Sequence, residues 1–191
     1  PQPDVLISSI GTDIYYAPNL TQDTRWREHI DQAWNPRAVR RILADLPGLK
    51  LQPLSEQGAF KISYFYDPTE APSPEEITSL LLQGDQTVNV NVSFGQFLDV
   101  IPLRASKGAA LRWFAAQRDV PLECILAVGG SGADEDMMRG NTLAAVVANR
   151  HDEELSELTE VDRIFFAKKS HAGGILEAMD HYDFFGDCKV P

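Results

Sequence analysis

Cys124-Ile125-Leu126-Ala127-Val128-Gly129-Gly130-Ser131-Gly132-Ala133-Asp134-Glu135-Asp136 decides how this chain is read. Residues 125–128 form a continuous apolar run, the kind buried on both faces of a parallel sheet. Cys124 beside it reads as a small buried core residue. Three glycines and a serine follow, and then a short acidic stretch. Ligands of parallel α/β sheets gather off the carboxyl ends of the strands, which is where this segment falls. Small residues let backbone amides approach a ligand, and the acids suit a hard cation such as Mg²⁺. A plain glycine turn, followed by acids that complement a helix N-terminus, accounts for the same residues. Neither the GK[ST] nor the GxGxxG spacing of nucleotide loops is present.

Working outward, residues 106–117 read as a helix with Ala110, Leu111, Phe114 and Ala115 on one face. Glu135–Met138 reads as a short helix, and residues 143–148 and 164–167 as strands. Residues 174–181 read as a helix with Ile175, Leu176 and Met179 inward. Such alternation predicts a parallel sheet with helices on both faces. Residues 5–9 read as a further strand of that same sheet.

The middle of the chain follows another rule. Pro36 fits a first helical position, with Val39, Ile42, Leu43 and Leu46 at helical spacing and Pro47-Gly48 as the stop. Phe60, Ile62, Tyr64 and Tyr66 alternate with Lys61, Ser63 and Phe65, a half-buried strand. Ser73-Pro74-Glu75-Glu76 reads as a capped helix start. Val88, Val90 and Val92 alternate with asparagines, and residues 97–102 form the next strand. Helix, strand, strand, helix, strand, strand predicts an α+β layer with antiparallel strands and helices on one face. The expected organisation is an α/β core over residues 1–23 and 104–191, carrying an inserted α+β cap over residues 24–103.

Composition sets the outer limits. The chain has 191 residues, 43% apolar, with 17 Lys and Arg against 28 Asp and Glu and a formal charge of −11. That is globular usage with too few basic residues for a nucleic-acid stripe. No apolar run reaches the ~18 residues of a membrane span. Two cysteines and no CxxC argue against a disulfide scaffold or a zinc site. A cytoplasmic protein with neither nucleic-acid nor membrane partners is the expectation. The chain opens Pro1-Gln2-Pro3-Asp4 with no Met, which reads as processing or as excision from something longer.

A second candidate is Arg104-Ala105-Ser106-Lys107-Gly108. A lysine in the first turn of a helix opposes the helix dipole. Lys107 therefore faces an anion or is an ordinary solvated lysine. Among the tryptophans, Trp26, Trp34 and Trp113 read first as packing residues, with a stacked sugar as the alternative at Trp26 or Trp34.

Taken together, these stretches resemble the haloacid dehalogenase superfamily, and within it the sucrose-phosphate phosphatases and the phosphatase-like domain of sucrose-phosphate synthases. Residues 7–16 resemble that family's strand and GSEIYY turn. Residues 60–64 resemble its cap strand, and residues 97–108 the return from cap to core. Residues 129–138 resemble its GDSGNDEEML loop, and residues 171–184 its closing helix and HYDF ending. The resemblance implies a Rossmann-like haloacid dehalogenase core with an inserted cap. It implies phosphoryl transfer by an aspartate, with Mg²⁺ and a lysine neutralising charge. It makes Lys107 that lysine with Ser106 beside it, and Asp134 a catalytic and metal-holding carboxylate. Lys61 and Asp13 become sugar contacts. Asp99 becomes either a sugar contact or a group that fixes the cap strand.

Departures from the family pattern are informative. Gly130 stands where the family has a metal-binding aspartate, and Ala133 where it has asparagine. The DxDxT nucleophile motif is not in these residues, and the layout places it, with its strand, ahead of residue 1. Three expectations follow. The first is a sugar-phosphate-recognising domain of a sucrose-phosphate synthase, with an upstream glycosyltransferase domain and hydrolysis impaired or absent. The second is an active Mg²⁺-dependent sucrose-6-phosphate phosphatase whose nucleophile lies upstream. The third is a docking module without ligand.

Overall fold

A computed structural model of the chain describes residues 3–151, 155 and 163–187. The run Asp152-Glu153-Glu154, whose acids the sequence offers as a solvated helix start, and Cys188 near the end of the sequence lie outside the described residues. The chain divides into two compact units, Pro1–Ser106 and Lys107–Pro191.

The first unit contains two antiparallel sheets. Strands β1 (Val5–Ser8), β2 (Asp13–Tyr16) and β3 (Thr21–Gln22) form one of them in that order. Residues 5–9 were expected in the parallel sheet. Instead β1 pairs antiparallel with β2, Val5 opposite Tyr16 and Ser8 opposite Asp13. The connection explains this. Ser9, Ile10 and Gly11 all take positive φ, which folds the chain straight back on itself. Such a tight reversal joins antiparallel neighbours, whereas parallel strands need a crossover of a dozen residues or more. Helix α1 (Thr24–Ile30), capped by Asp23, then buries Trp26, whose Nε1 donates to Gly11 O at 3.0 Å.

The second sheet takes β4 (Leu49–Leu51), β5 (Ile62–Tyr66), β6 (Val88–Ser93) and β7 (Phe97–Pro102) in the order β4-β5-β7-β6. Helices α2 (Pro36–Leu43) and α3 (Pro74–Gln83) serve one face of it. Both start as the sequence predicts, with proline in the first turn and a cap from Ser73, and Asn35 caps α2 as well. Ser73 and Glu76 complete a reciprocal capping box. The period-two pattern puts Ile62, Tyr64, Leu98 and Val100 into one core with Val39, Leu43, Ile77 and Leu81. The opposite face carries Ser63 beside Asp99 and Phe65 beside Phe97, in the register that pairs β5 with β7.

In the second unit, β8 (Leu126–Gly129), β9 (Leu143–Val146) and β10 (Ile164–Phe166) form a parallel sheet in the order β10-β9-β8. Helices α4 (Lys107–Gln117), α5 (Glu135–Met138) and α6 (Ala172–His181) alternate with it. Two expectations are corrected here. Ile175 and Leu176 are 40% and 63% exposed, because Gly174 and Ala178 are the residues of α6 that go inward. A β-carbon at Gly174 would lie 3.0 Å from Val147 Cγ1 and 2.5 Å from Lys169 O, so close packing there fixes the rotation of α6. Cys124 is a half-buried free thiol ending a single 3-10 turn rather than a core residue.

One buried group stands out in the first unit. Tyr64 is 2% exposed, and its hydroxyl makes no hydrogen bond among the described residues. Burial also pushes its ionisation up from the usual phenol value, against a smaller opposing pull from Arg40. An unsatisfied buried hydroxyl costs about 1–3 kcal/mol. Tyr64→Phe is therefore expected to leave the thermal midpoint unchanged or raise it. A fall of more than about 4 °C would show that the hydroxyl is bonded in solution.

Candidate active site

Asp134 sits at the centre of the second unit's loop. Its Oδ2 accepts from the backbone amides of Gly130 and Ser131, both at 3.0 Å, and from Ser131 Oγ at 3.1 Å. Its Oδ1 accepts from Lys107 Nζ at 2.6 Å, an ion pair with about a third of the lysine exposed. The misplaced lysine of the helix start is thereby explained, since α4 begins where its first side chain meets this carboxylate. Burial pushes the Asp134 carboxyl up. The Lys107 ammonium and the two loop amides outweigh that and hold it below the usual carboxylate range.

The neighbouring acids are matched in the same way. Asp136 Oδ1 accepts from Arg112 Nη2 at 2.9 Å, and its Oδ2 from the Gly108 amide at 3.0 Å. Glu135 pairs with Arg139 one turn on. Each carboxylate of the run 134–136 thus has its own basic partner.

A magnesium ion asks for several oxygens converging in near-octahedral geometry. Among the described residues no group of three His, Cys, Asp or Glu converges in this way. Both oxygens of Asp134 are engaged, and a cation would have to displace an ammonium and two amides. The described residues of this loop, with Asp134 already taken up by an ammonium and two amides, do not fit Mg²⁺.

The two loop glycines differ in kind. A β-carbon at Gly129 would stand 2.5 Å from both Asp134 Cβ and Asp134 Oδ2, so the loop closes only over glycine. At Gly130 it would meet Val147 Cγ2 at 3.1 Å and Arg150 Cα at 3.4 Å, a tight contact that a valine methyl can relieve. The Asp134 side chain demands glycine at 129. It does not explain the glycine at 130.

The sugar-contact candidates lie in the first unit. Lys61, just ahead of β5, donates from Nζ to Ser63 Oγ at 2.8 Å and stands 3.5 Å from Asp99 Oδ1. Ser63 Oγ donates in turn to Asp99 Oδ1. These groups border a cavity of about 500 Å³ whose wall includes Gln52, Glu56, Lys61, Phe65, Phe97 and Asp99. Asp99 is therefore both a strand-fixing group, tied across β7 to β5, and part of a cavity wall. Asp13 lies elsewhere. Its Oδ1 accepts from Gln22 Nε2 at 2.8 Å and faces Arg27 at 3.8 Å, inside the three-stranded sheet. Ser106 is half-buried and directly precedes α4.

Sequence reasoning missed Gln52, Glu56, Phe65 and Phe97. The alternation over residues 60–66 already put Phe65 on the polar face with Lys61 and Ser63, and that aromatic among polar neighbours was the available signal. Trp26 and Trp34 are packing residues with donating indoles, Trp34 Nε1 reaching Ala59 O at 2.8 Å.

Two outcomes test this geometry. Gly129→Ala is expected to destabilise by about 1–3 kcal/mol, the usual cost of overpacking, while Gly130→Ala stays within about 1 kcal/mol in denaturant melts. Equal losses would contradict the contrast. Asp134→Asn is expected to lower stability at neutral pH. A carboxyl held below its ordinary value of 3.8 contributes stability above that value and loses it as pH falls through the lower folded-state value. The gap between native and variant chains should accordingly be widest near neutrality and close in acid below pH 3.8. A gap that widens in acid would refute the assignment.

Comparison with known proteins agrees with this architecture. The chain is 28% identical to the mannosylfructose-phosphate phosphatase of Agrobacterium fabrum, over 95% of its own length and 74% of that protein. It is 27% identical to sucrose-phosphatase 1 of Nicotiana tabacum, over 98% of its length and 49% of that protein. It is 24% identical to the glucosylglycerol-phosphate synthase of Pseudomonas anguilliseptica, where it covers 97% of itself and 24% of the synthase. Among solved structures, the sucrose-phosphatase of Synechocystis sp. PCC6803 in complex with sucrose and phosphate superposes with a TM-score of 0.88 at 29% identity. That match covers 96% of this chain and 75% of the other. A subclass IIB sugar phosphatase of the haloacid dehalogenase superfamily shares the fold at 14% identity and a TM-score of 0.65. The model of the sucrose-6F-phosphate phosphohydrolase family matches residues 1–183, and the chain belongs to that family.

Proposed function

We propose that this chain recognises a sugar phosphate of the sucrose-6-phosphate type and that its own loop is impaired for hydrolysis. The observation that carries this reading is the closed Lys107–Asp134 pair. Lys107 presents an ammonium about a third exposed, and Asp134 takes one of its N–H donors, which leaves others for a phosphoryl oxygen. The carboxylates around it are already neutralised by basic side chains, and Gly130 supplies no further one. In this reading Lys107 meets the phosphate, with Ser106 beside it, and Asp134 fixes the lysine. Lys61 and Asp99 contribute the sugar contacts. Asp13 is an internal support of β2 in preference to a sugar contact, because its carboxylate already serves Gln22 and Arg27. Residues 1–23 and 104–191 serve as core and residues 24–103 as cap.

A parent of the synthase type accommodates such a domain. The match to a glucosylglycerol-phosphate synthase, of which this chain covers 24%, is the observation that favours it. An active phosphatase is the second reading, favoured by the relatives that carry that name.

Isothermal titration with sucrose-6-phosphate tests the proposal. The native chain is expected to bind saturably, and Lys107→Ala to weaken binding about tenfold or more, the loss of one charge-assisted hydrogen bond. Lys107→Arg should recover part of it. Binding indifferent to Lys107 would sink the phosphate assignment, and no binding at all would favour a docking module. Mg²⁺-dependent release of phosphate from sucrose-6-phosphate would establish the phosphatase reading instead.

A further inference from the structure

The second unit has a cavity that its glycine loop does not use. It is about 430 Å³ in volume, and its wall includes Arg112, Leu122, Asp136, Arg139, Asn141 and Thr142. Leu122 lies in the turn ahead of β8, and Asn141 and Thr142 directly precede β9. Strands β8 and β9 are parallel, so these residues stand toward the amino ends of both. The loop that holds Asp134 leaves the carboxyl end of β8. The cavity is therefore a different place from the Lys107–Asp134 pair, within the same unit.

Its chemistry is that of two guanidinium groups. Arg112 Nη2 donates to Asp136 Oδ1 at 2.9 Å, and Nη1 to the Asp136 carbonyl at 3.2 Å. Arg139 Nε donates to Glu135 Oε1 at 2.6 Å. A guanidinium carries more N–H donors than these bonds engage, in a planar fork that matches phosphate oxygens. Both side chains stay accessible, at 40% and 50% exposed. Asn141 lies beside a third guanidinium, its Oδ1 accepting from Arg163 Nη1 at 3.4 Å. Thr142 is buried, and its hydroxyl donates to Met137 O at 2.9 Å, which fixes the wall ahead of β9.

Charge and size narrow the occupant. The wall carries two guanidiniums against one carboxylate, in a chain whose formal charge is −11. An anion is drawn to such a local reversal of sign. The volume falls within the range that small organic ligands fill. A bare phosphate ion would leave most of it empty, and Leu122 offers apolar surface to an organic remainder.

We propose that this cavity is a binding site for a small organic phosphomonoester, whose phosphoryl oxygens are held by the guanidiniums of Arg112 and Arg139. The site goes beyond the sugar-phosphate reading of Lys107 and does not rest on it.

The full chain is titrated with glycerol 3-phosphate and, separately, with inorganic phosphate, and the arginine Nε–Hε signals are followed by NMR. The expected result is saturable shifts of two signals, identified as those lost in Arg112→Lys and Arg139→Gln. Arg139→Gln gives up only an exposed ion pair with Glu135, so its thermal midpoint should match the native chain. It should weaken glycerol 3-phosphate about tenfold, the loss of one charge-assisted contact. Arg112→Lys keeps the charge beside Asp136 but loses the fork, and should weaken binding about 3- to 10-fold. If that variant fails to fold, Arg139→Gln alone decides. Inorganic phosphate should bind more weakly than the ester, and Lys107→Ala should leave both shifts in place. Absence of shifts at the two arginines, affinity unaltered by Arg139→Gln, or phosphate bound as tightly as the ester would overturn the site. Loss of the shifts in the Lys107→Ala chain would do the same. The sucrose-6-phosphate titration reports on Lys107 by itself, so the two proposals can fail separately.

Discussion

One carboxylate closes the second unit's loop. Asp134 takes two amides and a hydroxyl on one oxygen and an ammonium on the other, which joins the end of β8 to the start of α4. Much else follows from that junction. Gly129 must be glycine because the Asp134 side chain occupies the place of its β-carbon. Helix α4 can begin with a lysine because the anion that offsets the unfavourable dipole lies 2.6 Å away. Asp136, two residues on, repeats the device, holding α4 through Arg112 and the Gly108 amide. The acids that suggest a cation site in the sequence are spent on holding the loop together.

In the first unit the corresponding constraint is the two-sidedness of an antiparallel sheet. Alternating residues of β5 and β7 go to opposite faces, so a single strand supplies core residues and cavity residues together. Ile62 and Tyr64 bind the sheet to α2 and α3, while Ser63 and Phe65 look the other way. The Lys61–Ser63–Asp99 cluster links β5 to β7 on that second face. Core packing and the cavity wall are therefore laid down in the same strand, one position apart.

Much of this was legible beforehand, and the failures have physical causes. The four-stranded sheet, its two helices and their caps follow from local signals: period-two alternation, a proline in the first turn, and a serine ahead of two glutamates. The partner of β1 is not legible in the sequence, because apolar composition does not name a strand's neighbour. Three consecutive positive-φ residues at 9–11 decided it. The facing of α6 differs from what its apolar residues suggest, because its smallest residues, Gly174 and Ala178, let the helix approach its sheet. Of the candidate site residues, Lys107 with Asp134 and Lys61 with Asp99 stand singly in the sequence and are brought together by the fold. The candidate Asp13 carboxylate accepts from Gln22 and faces Arg27.

The sequence by itself determined the family, the two kinds of sheet, and the residue types at the loop, including the glycine at 130 that brings no carboxylate. Those are properties of local pattern and of residue identity, which need no third dimension. Only the tertiary structure decided who neutralises whom. Lys107 and Asp134 are 27 positions apart, Ser63 and Asp99 36 apart, and no periodicity links them. Charge pairing and cavity walls depend on distances across elements, and these exist only once the strands and helices have packed.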